Sequence, residues 1–251
     1  MAKFDKMKHS LLLVSLLTLI ACKEAEEPIQ NIIFEGNIYI TSLSELQDFN
    51  DEGYTSIDGN LFIVGSNDFE DLSQLKSLRE VKNITIQENE NLQSLRGLEN
   101  IKEIGSLRID YNPQLKALTG LDNLETVSWD LLIGNNDNLI SLSGLTSLKT
   151  VENRMFVIFN SSLSSLNGLE SLNEAKEFAI SYNTILDNIS GLENFIKSFG
   201  LQINSNPLLK DFCPLLNFAK NGGSWNDFYA VYNLYNPTME DLKNNECTNL
   251  P

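Results

Sequence analysis

Seven apolar residues recur at nearly constant intervals through the chain: Phe69, Leu92, Leu115, Leu139, Leu163, Leu186 and Leu209, spaced 23, 23, 24, 24, 23 and 23 residues apart. A period of that length restricts the chain to a stack of short units, because one unit cannot bury its own apolar face and its neighbours must do so. Six residues before these anchors stand Ile63, Ile86, Ile109, Ile133, Val157, Ile180 and Ile203. Two residues earlier stand Leu61, Ile84, Leu107, Leu131, Met155, Phe178 and Leu201. Apolar residues two apart, rich in β-branched side chains, predict one short strand per repeat with one face buried. Leu72, Leu95, Leu118, Leu142, Leu166, Ile189 and Phe212 follow three after the anchors, and Leu78, Ile101, Leu124, Leu148, Leu172, Phe195 and Phe218 complete the apolar set. Gly97, Gly120, Gly144, Gly168 and Gly191 fill a column held by Gln74 in the first repeat and Pro214 in the last. That column predicts a bend with positive φ or a close backbone approach.

A polar column runs three residues before the anchors: Asn89, Asn112, Asn136, Asn160, Asn183 and Asn206, with Ser66 first. An inward asparagine in every coil predicts a structural ladder, bonding backbone at the turn and the next asparagine. Near the C-terminus, Val231-Tyr232-Asn233-Leu234-Tyr235-Asn236-Pro237 echoes Leu107-Arg108-Ile109-Asp110-Tyr111-Asn112-Pro113. The echo predicts an eighth rung and extends the ladder to Asn236. Capping elements are expected at both ends. Asn37 to Ile40 reads as a strand, and Ser42-Leu43-Ser44-Glu45 starts a short helix running to about Phe49. Pro214 to Lys220, before Gly222-Gly223, reads as another, and Pro237 suits the first turn of a last helix through Lys243.

The repeat L-x-I-x-x-N-x-x-L-x-x-L-x-G-L-x-x-L resembles the receptor L domain, the leucine-rich-repeat-like fold of growth-factor receptors and many bacterial surface proteins. It departs from the common leucine-rich repeat in spacing and in the glycine column. The resemblance covers roughly residues 32–247. It implies a mainly β fold: a right-handed parallel β-solenoid of about eight coils of 23–24 residues with short helical caps, and a non-catalytic role in recognition. The solenoid is expected over residues 32–251, with its C-terminal cap from about residue 213.

The N-terminus reads as an address. Lys3, Lys6 and Lys8 precede an apolar run from Leu11 to Ala21, too short for the ~20 residues that span a bilayer and suited to a signal peptide, residues 1–21. The run ends Leu19-Ile20-Ala21-Cys22, which resembles a bacterial lipobox and implies lipid attachment to Cys22. An ordinary signal peptide ending in cysteine is the alternative. Residues 22–31 form an acidic tether, in which Lys23-Glu24-Ala25-Glu26-Glu27 is similar to a surface-export signal. The expected location is the bacterial outer membrane, lipid-anchored at the cell surface, with the periplasmic leaflet as the alternative. Cys213 and Cys247 remain, an even pair in an oxidising compartment, read as a disulfide against two buried thiols.

Composition removes several chemistries. The net charge is −16, which argues against polyanions, and no nucleic-acid partner is expected. The single histidine, His9, lies in the leader, so histidine-based triads and histidine metal sites are unavailable to the mature chain. No cofactor is expected. Asp68, Glu70 and Asp71 are the one calcium candidate, against a solvated acidic turn. On the strands, the outward columns contain Leu132, Phe156 and Ile158, flanked by Asp130 and Arg154, with Arg108 and Asp110 nearby. An exposed apolar patch bordered by charge predicts a binding face for a protein or glycan, unless a loop covers it. No two adjacent coils put carboxylates at the same outward position, so a glycan-active enzyme is the weakest reading. Self-association into a structural or adhesive assembly is the main rival.

Overall fold

The computed structural model describes residues 30–221 and 228–248. The leader, Cys22, most of the acidic tether and Gly222-Gly223 lie outside the described residues. Residues Asn31–Pro251 form one compact unit. Its strands are β1 (Ile33–Glu35), β2 (Ile38–Ile40), β3 (Ser56–Val64), β4 (Glu80–Gln87), β5 (Glu103–Ile104), β6 (Ser106–Asp110), β7 (Thr126–Val127), β8 (Leu131–Gly134), β9 (Thr150–Ile158), β10 (Glu174–Ser181), β11 (Gly200–Asn204) and β12 (Phe228–Val231). The fold is mainly β. All twelve strands share one parallel sheet, ordered β1-β3-β4-β6-β8-β9-β10-β11-β12. Neighbours along the sheet are thus neighbours along the chain, a β-solenoid-like arrangement in which each return to the sheet takes one repeat.

Register explains the columns. Leu61 pairs with Ile84, Ile84 with Leu107, Leu107 with Leu131, and Leu131 with Met155. Phe178 and Leu201 continue the row to Phe228. These side chains and the other apolar columns are buried in one continuous core. A second inward column has no counterpart in the sequence reading: Ile57 pairs with Val81, and Ile104 with Val127, Val151 and then Ala175. It belongs to a strand segment that precedes the main one, and register shifts separate the two in β3 and β10. The glycine column meets both of its conditions. At Gly144, φ is +112° and a Cβ would stand 2.1 Å from the Leu118 carbonyl oxygen of the preceding repeat.

The asparagine ladder is continuous and buried. Each Nδ2 donates to a strand carbonyl of the preceding repeat, as Asn136 does to Ile109 at 3.1 Å, and each Oδ1 accepts the backbone N–H of the preceding rung, Ser66 for Asn89 and an asparagine for the others. The chain of bonds runs from Asn89 through Asn112, Asn136, Asn160, Asn183 and Asn206 to Asn233. Its last rung corrects the expectation of Asn236. Phe228 pairs with Leu201 and Val231 with Asn204, which sets Asn233, not Asn236, beside Asn206. The echoed Tyr-Asn-Pro triplet lies three residues beyond the true register. Asn236 instead turns back, its Oδ1 accepting from Asn233 N at 2.9 Å and Nδ2 at 3.0 Å, and so closes the ladder.

Helices cover the ends. α1 (Leu43–Glu52) is capped by Ser42, which accepts from Glu45 N, and buries Leu46 and Phe49. It runs three residues past the expected end, because the stop is Gly53 in the left-handed conformation. α2 (Leu216–Asn221) follows a 3₁₀ turn at Cys213–Leu215. α3 (Met239–Lys243) starts after Thr238, which forms a reciprocal capping box with Asp241, so Pro237 precedes the cap rather than entering the first turn. Cys213 and Cys247 are joined by a disulfide, and Phe212 N donates to the Cys247 carbonyl at 2.8 Å.

Candidate binding surface

The strands carry their outward residues into two rows. Arg108, Leu132, Phe156 and Ala179 stand side by side in one, and Asp110, Gly134, Ile158 and Ser181 in the next. Leu132, Phe156 and Ile158 are therefore neighbours, but each is only half-exposed. Arg154 contributes to that cover, with its guanidinium carbon 5.8 Å from the Phe156 ring centroid, within cation–π range. The guanidinium is held in turn by Asp130, which accepts from Arg154 Nε and Nη2 and from Asn153. Burial by itself raises the Asp130 carboxyl; the Arg154 bonds and charge outweigh it and hold the group below its usual value. Asp110 keeps its outward register position but is not solvated there. Its carboxylate is buried, bonded to Arg108 Nη2 and accepting from Asn135 Nδ2 at 2.9 Å. The cause is the next strand, where Gly134 offers no side chain and the strand lies close over the carboxylate.

A more exposed surface lies at the corner that follows the strands. Every repeat turns there through a left-handed residue: Glu88, Tyr111, Asn135, Phe159, Tyr182, Ser205 and Tyr232, with φ between 52° and 60°. Each immediately precedes a ladder asparagine, and Gly65 makes the same turn before Ser66. Bulky residues disfavour that conformation by about 1 kcal/mol or more, yet four of the seven are aromatic. Their rings face solvent, Tyr232 being 79% exposed and Tyr182 48%. Phe159 and Tyr182 stack on consecutive rungs, centroids 4.6 Å apart and planes within 2°. Beyond them an open cleft of about 430 Å³ is lined by Phe159, Tyr182, Thr184, Ser205, Pro207 and Tyr232. This column does not stand out in the spacing of the apolar residues. Its signal was present, an aromatic residue before the ladder asparagine, but only the left-handed turn reveals that the ring points outward.

The acidic turn does not converge. Asp68 accepts from Leu43 N at 2.9 Å and from the Ser66 hydroxyl at 2.7 Å, while Asp71 accepts from Ser73 N at 2.9 Å. Among the described residues no group of three metal-ligating side chains is gathered, and no helix is long and apolar enough to cross a membrane. Compared with known proteins, the chain matches no family model and no curated relative.

Proposed function

We propose that this chain is an exported, lipid-anchored recognition module of the bacterial envelope. In this reading it is a right-handed solenoid of about eight coils of receptor L-domain type, tethered through Cys22 and displayed at the outer-membrane surface. It binds a protein or glycan ligand without transforming it. The observation that carries the reading is the corner column, where exposed aromatic rings are kept at strained positions on a scaffold whose buried side-chain polar atoms are otherwise satisfied. The left-handed turn recurs in the repeats, so it is the placing of exposed aromatic rings at four of its positions that points to a site. The leader, the lipobox-like Leu19-Ile20-Ala21-Cys22 and the Cys213–Cys247 bond support export.

The second reading, self-association, is favoured by the terminal strand β12, which pairs with β11 on one side and carries exposed Tyr229 on its outer face. Light scattering across a hundredfold concentration range separates the two, since a monodisperse monomer removes the assembly. Recognition is tested on arrays of envelope proteins and glycans, with the full chain beside a Leu132→Asp, Phe156→Asp variant and a Tyr182→Ala, Tyr232→Ala variant. Loss of a captured ligand in either folded variant is the expected result, and it assigns the face. Failure of the wild type to capture any ligand removes recognition. Replacing Cys22 by Ser is expected to abolish labelling by a palmitate analogue, and persistent labelling removes the anchor.

A further inference from the structure

The corner column is an interrupted stack. From Phe159 to Tyr232 it reads ring, ring, hydroxyl, ring: Phe159, Tyr182, Ser205, Tyr232. Backbone register across the interruption is intact, since Tyr182 N donates to Asn204, Ser205 N donates to Val231 and Asn206 N to Asn233 Oδ1. Tyr182 and Tyr232 are therefore two rungs apart, roughly 9.5 Å at the usual spacing of strands. Where rings occupy consecutive rungs they lie parallel at 4.6 Å, so Ser205 leaves the space of one missing ring.

We propose that this space is a sugar-binding slot, in which one hexopyranose ring of a neutral glycan enters between Tyr182 and Tyr232. The inference rests on the recognition reading above and names the ligand of that surface. The width of the slot admits one ring, flat or puckered, since aromatic rings on consecutive rungs already lie 4.6 Å apart; two other properties favour a saturated, hydroxylated one. The cleft is open, so the guest's edge stays in water; a hydroxyl-bearing edge is content there and an apolar one is not. The chain's charge of −16 disfavours acidic polymers and nucleic acids, whose bases also have faces to stack. Ser205 and Thr184 line the cleft, whose wall is almost entirely apolar and suits stacking on the faces of the guest, and the Thr184 hydroxyl is engaged with Ser161 O at 3.1 Å. Asn135 makes a second interruption, between Tyr111 and Phe159, three rungs away. Its amide is turned to Asp110. An oligosaccharide that reaches both gaps gains from the linkage of its units.

The test is calorimetric titration of the full chain, held in a detergent without a sugar headgroup, with cellohexaose, mannohexaose and chitohexaose. At least one is expected to bind, and more tightly than its monosaccharide. Ser205→Tyr fills the gap with the residue that its neighbours in the column carry, and is expected to abolish binding with thermal unfolding unchanged. Tyr232→Ala, at the exposed end of the column, is expected to weaken binding at least tenfold, and serves alone if Ser205→Tyr does not fold. Unchanged affinity in either folded variant overturns the slot, as does failure of all three hexaoses to bind the wild type. If the hexaoses fail while a protein ligand is captured on the arrays, recognition survives and the sugar inference does not.

Discussion

Asn136 accepts from the Asn112 N–H at 3.0 Å and donates to the Ile109 carbonyl at 3.1 Å, so it satisfies two backbone groups of the preceding repeat at once. Its replacement by alanine leaves buried groups without partners, each worth about 1–3 kcal/mol. Asn136→Ala is expected to destabilise the fold by about 2–4 kcal/mol in chemical denaturation, and a loss below about 1 kcal/mol would count against the ladder as a stabilising element. Gly144 and Gly36 separate two causes of glycine preference. Both have φ above +100°, but a Cβ at Gly144 overlaps the Leu118 carbonyl while one at Gly36 meets nothing within 4 Å. Gly36→Ala is therefore expected to show only the conformational penalty of about 1–2 kcal/mol, and Gly144→Ala clearly more. Equal effects of the two on the denaturation midpoint would mean that the close approach is irrelevant.

At the level of elements, α1 is fastened to the first repeat by one carboxylate. Asp68 accepts the Leu43 N–H at the first position of the helix, where the exposed N–H groups favour negative charge. The Ser66 hydroxyl first, and then the Leu43 N–H, hold the Asp68 carboxyl below its ordinary value. A lowered folded-state value means stabilisation that is present above the unfolded value, about 3.9, and lost as pH falls through the folded one. Asp68→Asn is thus expected to melt below the wild type at pH 7 and to converge with it under acid, and a gap constant with pH would refute the linkage. The helix itself was legible from Ser42 and Glu45, although the Glu45 carboxylate turns to Thr41 N and Oγ1. The column Ile57, Val81, Ile104, Val127, Val151 and Ala175 was not legible. β5 and β7 are two residues long with one inward side chain each, too short for any alternation to register.

Over the whole molecule, each repeat meets mainly the ones before and after it, so the ends govern how the stack opens. The Cys213–Cys247 bond closes a loop with a sequence separation of 34, worth about 4 kcal/mol in chain-entropy arithmetic. Reduction is expected to lower stability by about that amount and to raise amide exchange in α2, β12 and α3 before β6 to β9. Uniform exchange throughout would mean a single cooperative unit. The 23–24-residue period, the strand positions, the glycine bend and six of the seven ladder asparagines could be read from the chain alone. In a stack of parallel strands each residue meets its own equivalent one repeat away, so linear spacing encodes lateral contact. Tertiary structure decided what depends on the occupant of the adjacent rung. Asn233 rather than Asn236 ends the ladder because strand pairing, not the triplet motif, sets the last register. Asp110 is buried because its neighbour is Gly134. The rings before the asparagines face water because the chain turns left-handed there in each coil, and the gap at Ser205 exists only between the two tyrosines that the fold sets on either side of it.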